Sequence, residues 1–192
     1  MMGGDFGPDV TVKGLDHALK KLDNVHANLF GNEELINEVL IKYPSLSSKV
    51  DIFHTEKFVP MDAKPIDALR RIGKGSSMWM SIDSCAKSNS DVILSAGNTG
   101  ALMALSKIIL RTIEGIERPA ITALWPNPEG ESVVLDLGAN IDVSTNQLVQ
   151  FGIMGYAYAV CVLKKEKPKV AILNIGHEDT KGSNDLQDAS EK

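Results

Sequence analysis

Cysteine is nearly absent: Cys85 and Cys161 are the only two in 192 residues, and neither belongs to a C-x-x-C pair. No disulfide framework is possible, and a reducing cytoplasmic setting is the expectation. Aromatic residues make up only 5%, but apolar residues reach 43% and charged residues 23%. That is ordinary globular composition and excludes wholesale disorder. Positive charge is in deficit, with 20 basic against 25 acidic residues and a net charge of −5. A nucleic-acid partner, which would call for a basic excess, is therefore not expected. The opening MMGGDFGPDV has neither the charged nor the apolar region of a signal peptide. Long hydrophobic runs are missing too. The longest, Leu148–Leu163, has 16 residues, contains Gln150 and stops at Lys164-Lys165, short of the roughly 20 that a span needs.

Familiar catalytic signatures are also absent. There is no G-x-G-x-x-G, since Gly73-Lys74-Gly75 runs into Ser-Ser-Met, no Walker-type G-x-x-x-x-G-K-[ST], no G-x-S-x-G elbow and no H-E-x-x-H. Dinucleotide, NTP, serine-hydrolase and zincin chemistries lose their usual support. His17, His26, His54 and His177 are scattered, and His177-Glu178-Asp179 alone is a poor ligand set, so no metal or cofactor is expected. Both cysteines sit among apolar residues at helical spacing and read as core rather than nucleophiles.

What is present is short apolar runs alternating with helical periodicity. Strands are predicted at His26–Phe30, Val50–Phe53, Asp91–Ser95, Ala120–Leu124, Val133–Leu137 and Lys169–Ile175. Helices are predicted around Val12–Leu22, after Gly31-Asn32, over Pro65–Arg71, from Ser76 toward Lys87, over Thr99–Thr112 and over Thr145–Lys165. Continuous rather than alternating Val/Ile/Leu runs indicate strands buried on both faces. Interleaved with helices, they predict a three-layer α/β/α fold with a mostly parallel sheet, in one domain over residues 1–192. The closing GSNDLQDASEK reads as a helix start cut short, so the domain is expected to be incomplete.

Three segments run from an apolar strand into a Gly/Asn-rich turn: VILSAGNTGA (92–101), VVLDLGAN (133–140) and VAILNIGHEDTKG (170–182). Such turns gather ligands beyond the carboxyl ends of parallel strands, and Gly97, Gly100, Gly138 and Gly176 permit close backbone approach. The first turn opens a helix, so the N–H groups of Asn98, Thr99 and Gly100 suit a phosphate. Lys181 offers a mobile positive charge, or else a solvated lysine paired with Glu178 or Asp179. Asp5 is a turn former or a polar site group. Lys64, Arg70, Arg71 and Lys74 make a local basic patch against Asp67 alone, either a solvated face or a dock for an acidic partner.

MGGDFGP (2–8), SAGNTGA (95–101), ERPA (117–120), LDLGAN (135–140) and NIGHEDTKG (174–182) together resemble the bacterial phosphate acyltransferases of phospholipid synthesis, the acyl-[acyl-carrier-protein]:phosphate transacylases. The resemblance implies an isopropylmalate dehydrogenase/phosphotransacetylase-like fold. It also implies a reaction in which inorganic phosphate takes a long-chain acyl group from acyl carrier protein, giving acyl phosphate for a membrane glycerol-3-phosphate acyltransferase. A cytoplasmic homodimer, peripheral at the membrane, follows from the same resemblance. The resemblance further implies a short strand before the Met-Gly-Gly-Asp motif and a long stretch beyond Lys181-Gly182, so the chain is expected to be a fragment, a truncated gene product or an incomplete form of the family's domain.

On that reading, Ser95, Gly97, Asn98, Thr99, Gly100, Gly138, Asn174 and Gly176 line the phosphate and substrate. Lys181, Asn140 and Asp5 are the catalytic candidates, and Lys64, Arg70, Arg71 and Lys74 receive the acidic carrier. A phosphotransacetylase acting on small acyl-CoA is the alternative enzyme. A fragment that only binds carrier protein is the non-enzymatic one, and a nicotinamide dehydrogenase ranks third for want of its fingerprint.

Overall fold

A computed structural model of the chain describes residues 1–176 and 181–192. They divide into two compact units, Met1–Arg111 and Thr112–Lys192, where the sequence reading treats 1–192 as one domain. The class is α/β: a small parallel sheet with helices, as an incomplete α/β/α fold requires.

In the first unit, α1 (Gly7–Leu19) starts with Pro8 in its first turn, where the missing N–H costs nothing, and buries Val12, Asp16 and Leu19. The strands β1 (Ala27–Gly31) and β2 (Val50–His54) pair in parallel from Ala27↔Val50 to Gly31↔His54. Between them runs α2 (Glu33–Leu40), capped by Asn32, whose side chain accepts the Leu35 N–H at 2.9 Å. Phe30 and Phe53 stack across the ladder with ring centroids 5.0 Å apart.

After β2 come α3 (Pro65–Asp67), a π-type turn over Ala68–Ile72, α4 (Ser77–Ala86) and α5 (Thr99–Ile109). Val59, Ala68, Met78, Ile82, Ala101 and Leu105 form one core, and Val12, Leu19, Val39 and Leu46 form another. Ala68 from the π turn and Ala101 from α5 are fully buried in the same cluster. The basic-patch segment is thereby fastened to the first turns of α5.

The second unit holds the hairpin β3 (Ala123–Asn127) and β4 (Gly130–Val134), the helix α6 (Thr145–Cys161) and the short α7 (Asn184–Ser190). A capping box starts α6: Ser144 accepts from Gln147, whose side chain answers to the Ser144 N–H. Among the described residues no helix is long and apolar enough to cross a membrane.

The predicted helices all appear, within a few residues of their expected ends. The strands divide. Those at 26–30 and 50–53 form as expected, but 120–124 and 133–137 become an antiparallel hairpin displaced to 123–127 and 130–134. Residues 91–95 and 169–175 join no ladder, and Val92, Leu94, Leu173 and Ile175 are exposed. A doubly buried strand needs a hydrogen-bonding neighbour, and an apolar run does not supply one by itself. The expectation that all three glycine-rich turns follow strands of one sheet is thus corrected, because none of the three segments belongs to the β1–β2 sheet.

Candidate active site

The first unit assembles three stretches around the start of α5. The first is the turn itself. Ser95 Oγ accepts the Gly97 N–H at 3.2 Å, and Asn98 takes the N-cap position with its Oδ1 accepting the Ala101 N–H at 2.9 Å. The second is residues 60–63. The Asn98 Nδ2 donates to the carbonyls of Met61 and Ala63, both at 2.8 Å, and to that of Pro60 at 3.4 Å. Asn98 is 8% exposed, so its carboxamide is spent inside the protein.

The third stretch is the N-terminal glycine pair. A Cβ on Gly3 would stand 2.9 Å from the Val59 carbonyl oxygen, and one on Gly4 would stand 3.0 Å from that of Ala96. Backbone lies against backbone here, which is why the MGGD segment tolerates no side chain at these positions. Asp5 follows in an exposed turn closed by the Gly7 N–H to the Gly4 carbonyl at 3.3 Å. It makes no hydrogen bond or ion pair among the described residues.

The N–H groups of Thr99 and Gly100 have no acceptor among the described residues, and both residues are exposed. Unpaired first-turn amides at the positive end of an 11-residue helix are suited to an anion. The phosphate contact expected from Asn98 therefore narrows to the backbone beside it, since the side-chain donors are occupied. Gly100 also touches α3: a Cβ there would lie 3.1 Å from Pro65 Cγ. Lys64, Arg70, Arg71 and Lys74 are all exposed, and among the described residues only Arg71 of the four has an acidic neighbour, Asp67 at 3.6 Å.

In the second unit, Asp136 organises the LDLGAN turn, and sequence reasoning passed it over. Its carboxylate accepts the N–H groups of Ile121 and Asn140, each at 2.7 Å, and the Asn140 Nδ2 at 3.2 Å. Asn140 also donates to the Pro119 carbonyl at 3.0 Å, which ties LDLGAN to ERPA. Its carboxamide nitrogen is thus engaged within the turn. The clue was an acid four residues before an asparagine in a glycine turn, a pattern that invites local side-chain-to-backbone bonding. Gly138 has φ +83°, a conformation that favours glycine.

Glu117 of ERPA is held by α6. Its carboxylate accepts from Gln147 at 3.1 Å and Gln150 at 3.4 Å, and its N–H reaches the Gln150 Oε1 at 2.8 Å. Asn174 accepts the Ile175 N–H at 2.8 Å and donates to the Lys181 carbonyl at 2.9 Å. Gly182 fits closely beside it, because a Cβ there would fall 2.8 Å from Asn174 Oδ1. Gly176 is half-buried, and Lys181 is exposed with no ion pair among the described residues. His177, Glu178 and Asp179, raised as a weak metal set and as partners for Lys181, lie outside the described residues. Among the described residues no group of three His, Cys, Asp or Glu side chains is placed to hold a metal.

Known proteins bear directly on this geometry. The chain is 45% identical over 189 residues to a phosphate acyltransferase of Paramagnetospirillum magneticum, covering 98% of this chain and 54% of that one. It is 48% identical over 189 residues to the phosphate acyltransferase of Methylocella silvestris, covering 98% and 51%. A third such enzyme, from Maricaulis maris, is 45% identical over 192 residues, covering 99% and 54%. The chain therefore spans about half the length of the relatives it matches. The family model described as "Fatty acid synthesis protein" matches residues 1–192. On that full-length match, the chain belongs to the fatty acid synthesis protein family.

Proposed function

We propose that this chain carries the phosphate-binding part of an enzyme that transfers a long-chain acyl group from acyl carrier protein to inorganic phosphate. The observation that carries the reading is the pair of unpaired N–H groups at Thr99 and Gly100, in a chain whose relatives are named phosphate acyltransferases. A phosphate oxygen attacks the thioester carbonyl carbon. The tetrahedral intermediate then collapses with cleavage of the C–S bond, and the carrier's thiolate leaves and takes up a proton. Acyl phosphate is the product, available for phospholipid synthesis.

No acyl-enzyme is needed. Cys85 is half-buried with its Sγ 4.0 Å from the Asp91 carbonyl, whereas Cys161, expected in the core, is exposed at the end of α6. Catalysis then rests on holding the phosphate in line and on stabilising the oxyanion. Asp5 on the first unit, and separately Asn140 and Lys181 on the second, remain candidates for those duties, and the exposed Lys64, Arg70, Arg71 and Lys74 fit an acidic carrier protein. A cytoplasmic homodimer working beside a membrane acyltransferase is part of the same proposal.

The test is hydroxylamine trapping of acyl phosphate made from palmitoyl-acyl carrier protein. Product that disappears when phosphate is left out is the expected result. Turnover of acetyl-CoA but not of the carrier substrate would replace this reading with the phosphotransacetylase one. Carrier binding with no phosphate-dependent loss of thioester would reduce the chain to a binding module. Charge reversal at Arg70 and Arg71 is expected to raise KM for the carrier and to weaken its dependence on salt.

A further inference from the structure

His54 closes β2, and both of its ring nitrogens are engaged at the start of α2. Nδ1 accepts the Glu33 N–H at 3.2 Å, one of the first-turn donors that a helix cannot satisfy by itself. Nε2 lies 3.3 Å from Glu56 Oε1. The same Glu56 carboxylate takes the Asn32 Nδ2 on both oxygens, at 2.8 and 2.9 Å, while Asn32 Oδ1 caps the helix at the Leu35 N–H, 2.9 Å away. Imidazole, carboxylate and carboxamide thus form one chain of contacts on one helix terminus. A ring nitrogen that accepts carries no proton, so the contact at Glu33 assigns the Nε2–H tautomer, with its proton on the side of Glu56.

Only a neutral ring fits this arrangement. Imidazole changes charge between pH 5 and 8, and imidazolium carries a proton on both nitrogens. A proton on Nδ1 would meet the Glu33 N–H donor to donor. The cation would then be drawn to Glu56 and compete with Asn32 for that carboxylate. Around the ring, β1 has no titratable side chain and α2 adds Glu33 and Glu34 in its first turn. Lys57, next after Glu56, gives its N–H to Thr55 Oγ1, and Asp51, earlier in β2, is engaged with His26 at 2.9 Å. The buried residues of α2 are Ile36 and Val39, so its first turn depends on these polar contacts rather than on the core.

We infer that His54 is an acid-released fastening of α2: the neutral imidazole holds the first turn, and the imidazolium lets it go. The inference stands independently of the phosphate reading. The turn concerned adjoins the N-terminal glycine pair, because a Cβ on Gly31, just before the cap, would stand 2.8 Å from Met2 Cγ.

The experiment is nuclear magnetic resonance of the full chain between pH 8 and pH 6, above its isoelectric point of about 5.4. At pH 8 the His54 ring should carry its proton on Nε2. As the ring protonates, amide exchange at Glu33 and Leu35, corrected for its intrinsic dependence on pH, should quicken by up to about tenfold, the loss of one hydrogen bond each. His54→Asn places an acceptor near Nδ1 that cannot titrate. It should leave both amides protected at every pH, while His17, His26 and His177 still titrate. Glu56→Gln should flatten the response at Leu35 and keep it at Glu33, since the imidazolium then has no carboxylate to draw from Asn32. Both substitutions fall at exposed positions, so the fold survives them. A proton on Nδ1 at pH 8 would overturn the inference. So would an unaltered chain whose Glu33 and Leu35 amides ignore the titration, or a response that persists in His54→Asn.

Discussion

Gly100→Ala separates binding from folding. The new Cβ would stand 3.1 Å from Pro65 Cγ and 3.6 Å from Asn98 Oδ1. The second distance is ordinary contact, whereas the first asks α3 to yield by a few tenths of an ångström. Yielding of that size costs on the order of 1 kcal/mol, the low end of what overpacking costs. Against it, alanine favours helix over glycine by up to about 1 kcal/mol, and Gly100 lies in the first turn of α5 with no positive φ to lose. The two effects nearly cancel, so the urea midpoint should move by less than about 1 kcal/mol of stability.

Phosphate affinity should behave differently. A methyl group beside the Gly100 N–H, with α3 displaced, interferes with a hydrogen bond to an anion worth about 1.5–3 kcal/mol, or roughly 10- to 150-fold in affinity. Calorimetric titration with phosphate reads that loss, and chemical denaturation reads the stability. Gly14→Ala is the control: it sits within α1 with nothing inside 4 Å of the added Cβ. It should gain about 1 kcal/mol and leave phosphate binding alone. Unchanged affinity in Gly100→Ala would refute the assignment of this turn to phosphate. A collapse of stability would show that the clash with Pro65 is far harder than 3.1 Å suggests.

Three further outcomes follow from the packing and the charges. Leu105 is fully buried in the α4–α5 core, so Leu105→Ala should lower stability by about 2–5 kcal/mol in urea unfolding. Asp16 is held below its ordinary value of 3.8 by the Lys20 ammonium at 2.6 Å, and to a lesser degree by the Ser45 hydroxyl. A depressed carboxyl contributes its stability above the unfolded value and loses it as the folded group takes up its proton. Melting temperature should therefore fall as pH drops below about 4, and the fall should be shallower in Asp16→Asn. Asp136→Ala leaves the N–H groups of Ile121 and Asn140 without their acceptor. A loss of about 1–3 kcal/mol, with faster hydrogen exchange at residues 119–121 and 137–140, is the expected result.

Helices and caps were legible in the sequence because their causes are local. Asn32, Ser76, Asn98 and Ser144 each cap a helix with a side-chain oxygen, and each precedes the periodic run that it starts. The parallel strands β1 and β2 were legible for a related reason, since the helical stretch between them dictates a crossover. Residues 91–95 and 169–175 were not, because strand identity belongs to a pair rather than to a segment. Leu94 and Ile175 carry the apolar character of interior strands and stand 97% and 87% exposed. The chain spans 51–54% of three of its relatives, and within either unit the described residues offer these segments no ladder.

The candidate site shows the same division at finer scale. Composition could mark SAGNTGA and LDLGAN as turns able to receive an anion, because glycine and asparagine announce themselves. It could not say that the Asn98 and Asn140 amide nitrogens would be turned inward, each donating to carbonyl groups from another segment of its own unit. A side chain with both a donor and an acceptor is equally suited to ligand and to scaffold. What decides is whether unpaired carbonyls lie within its reach, and only the folded chain fixes that. Asp136 makes the converse case, for an acid inside a predicted strand looked unremarkable until three N–H groups converged on it. In this family member the asparagines of the turns build the walls, and the groups left without a partner at the start of α5, among the described residues, are the plainest ones: two backbone amides.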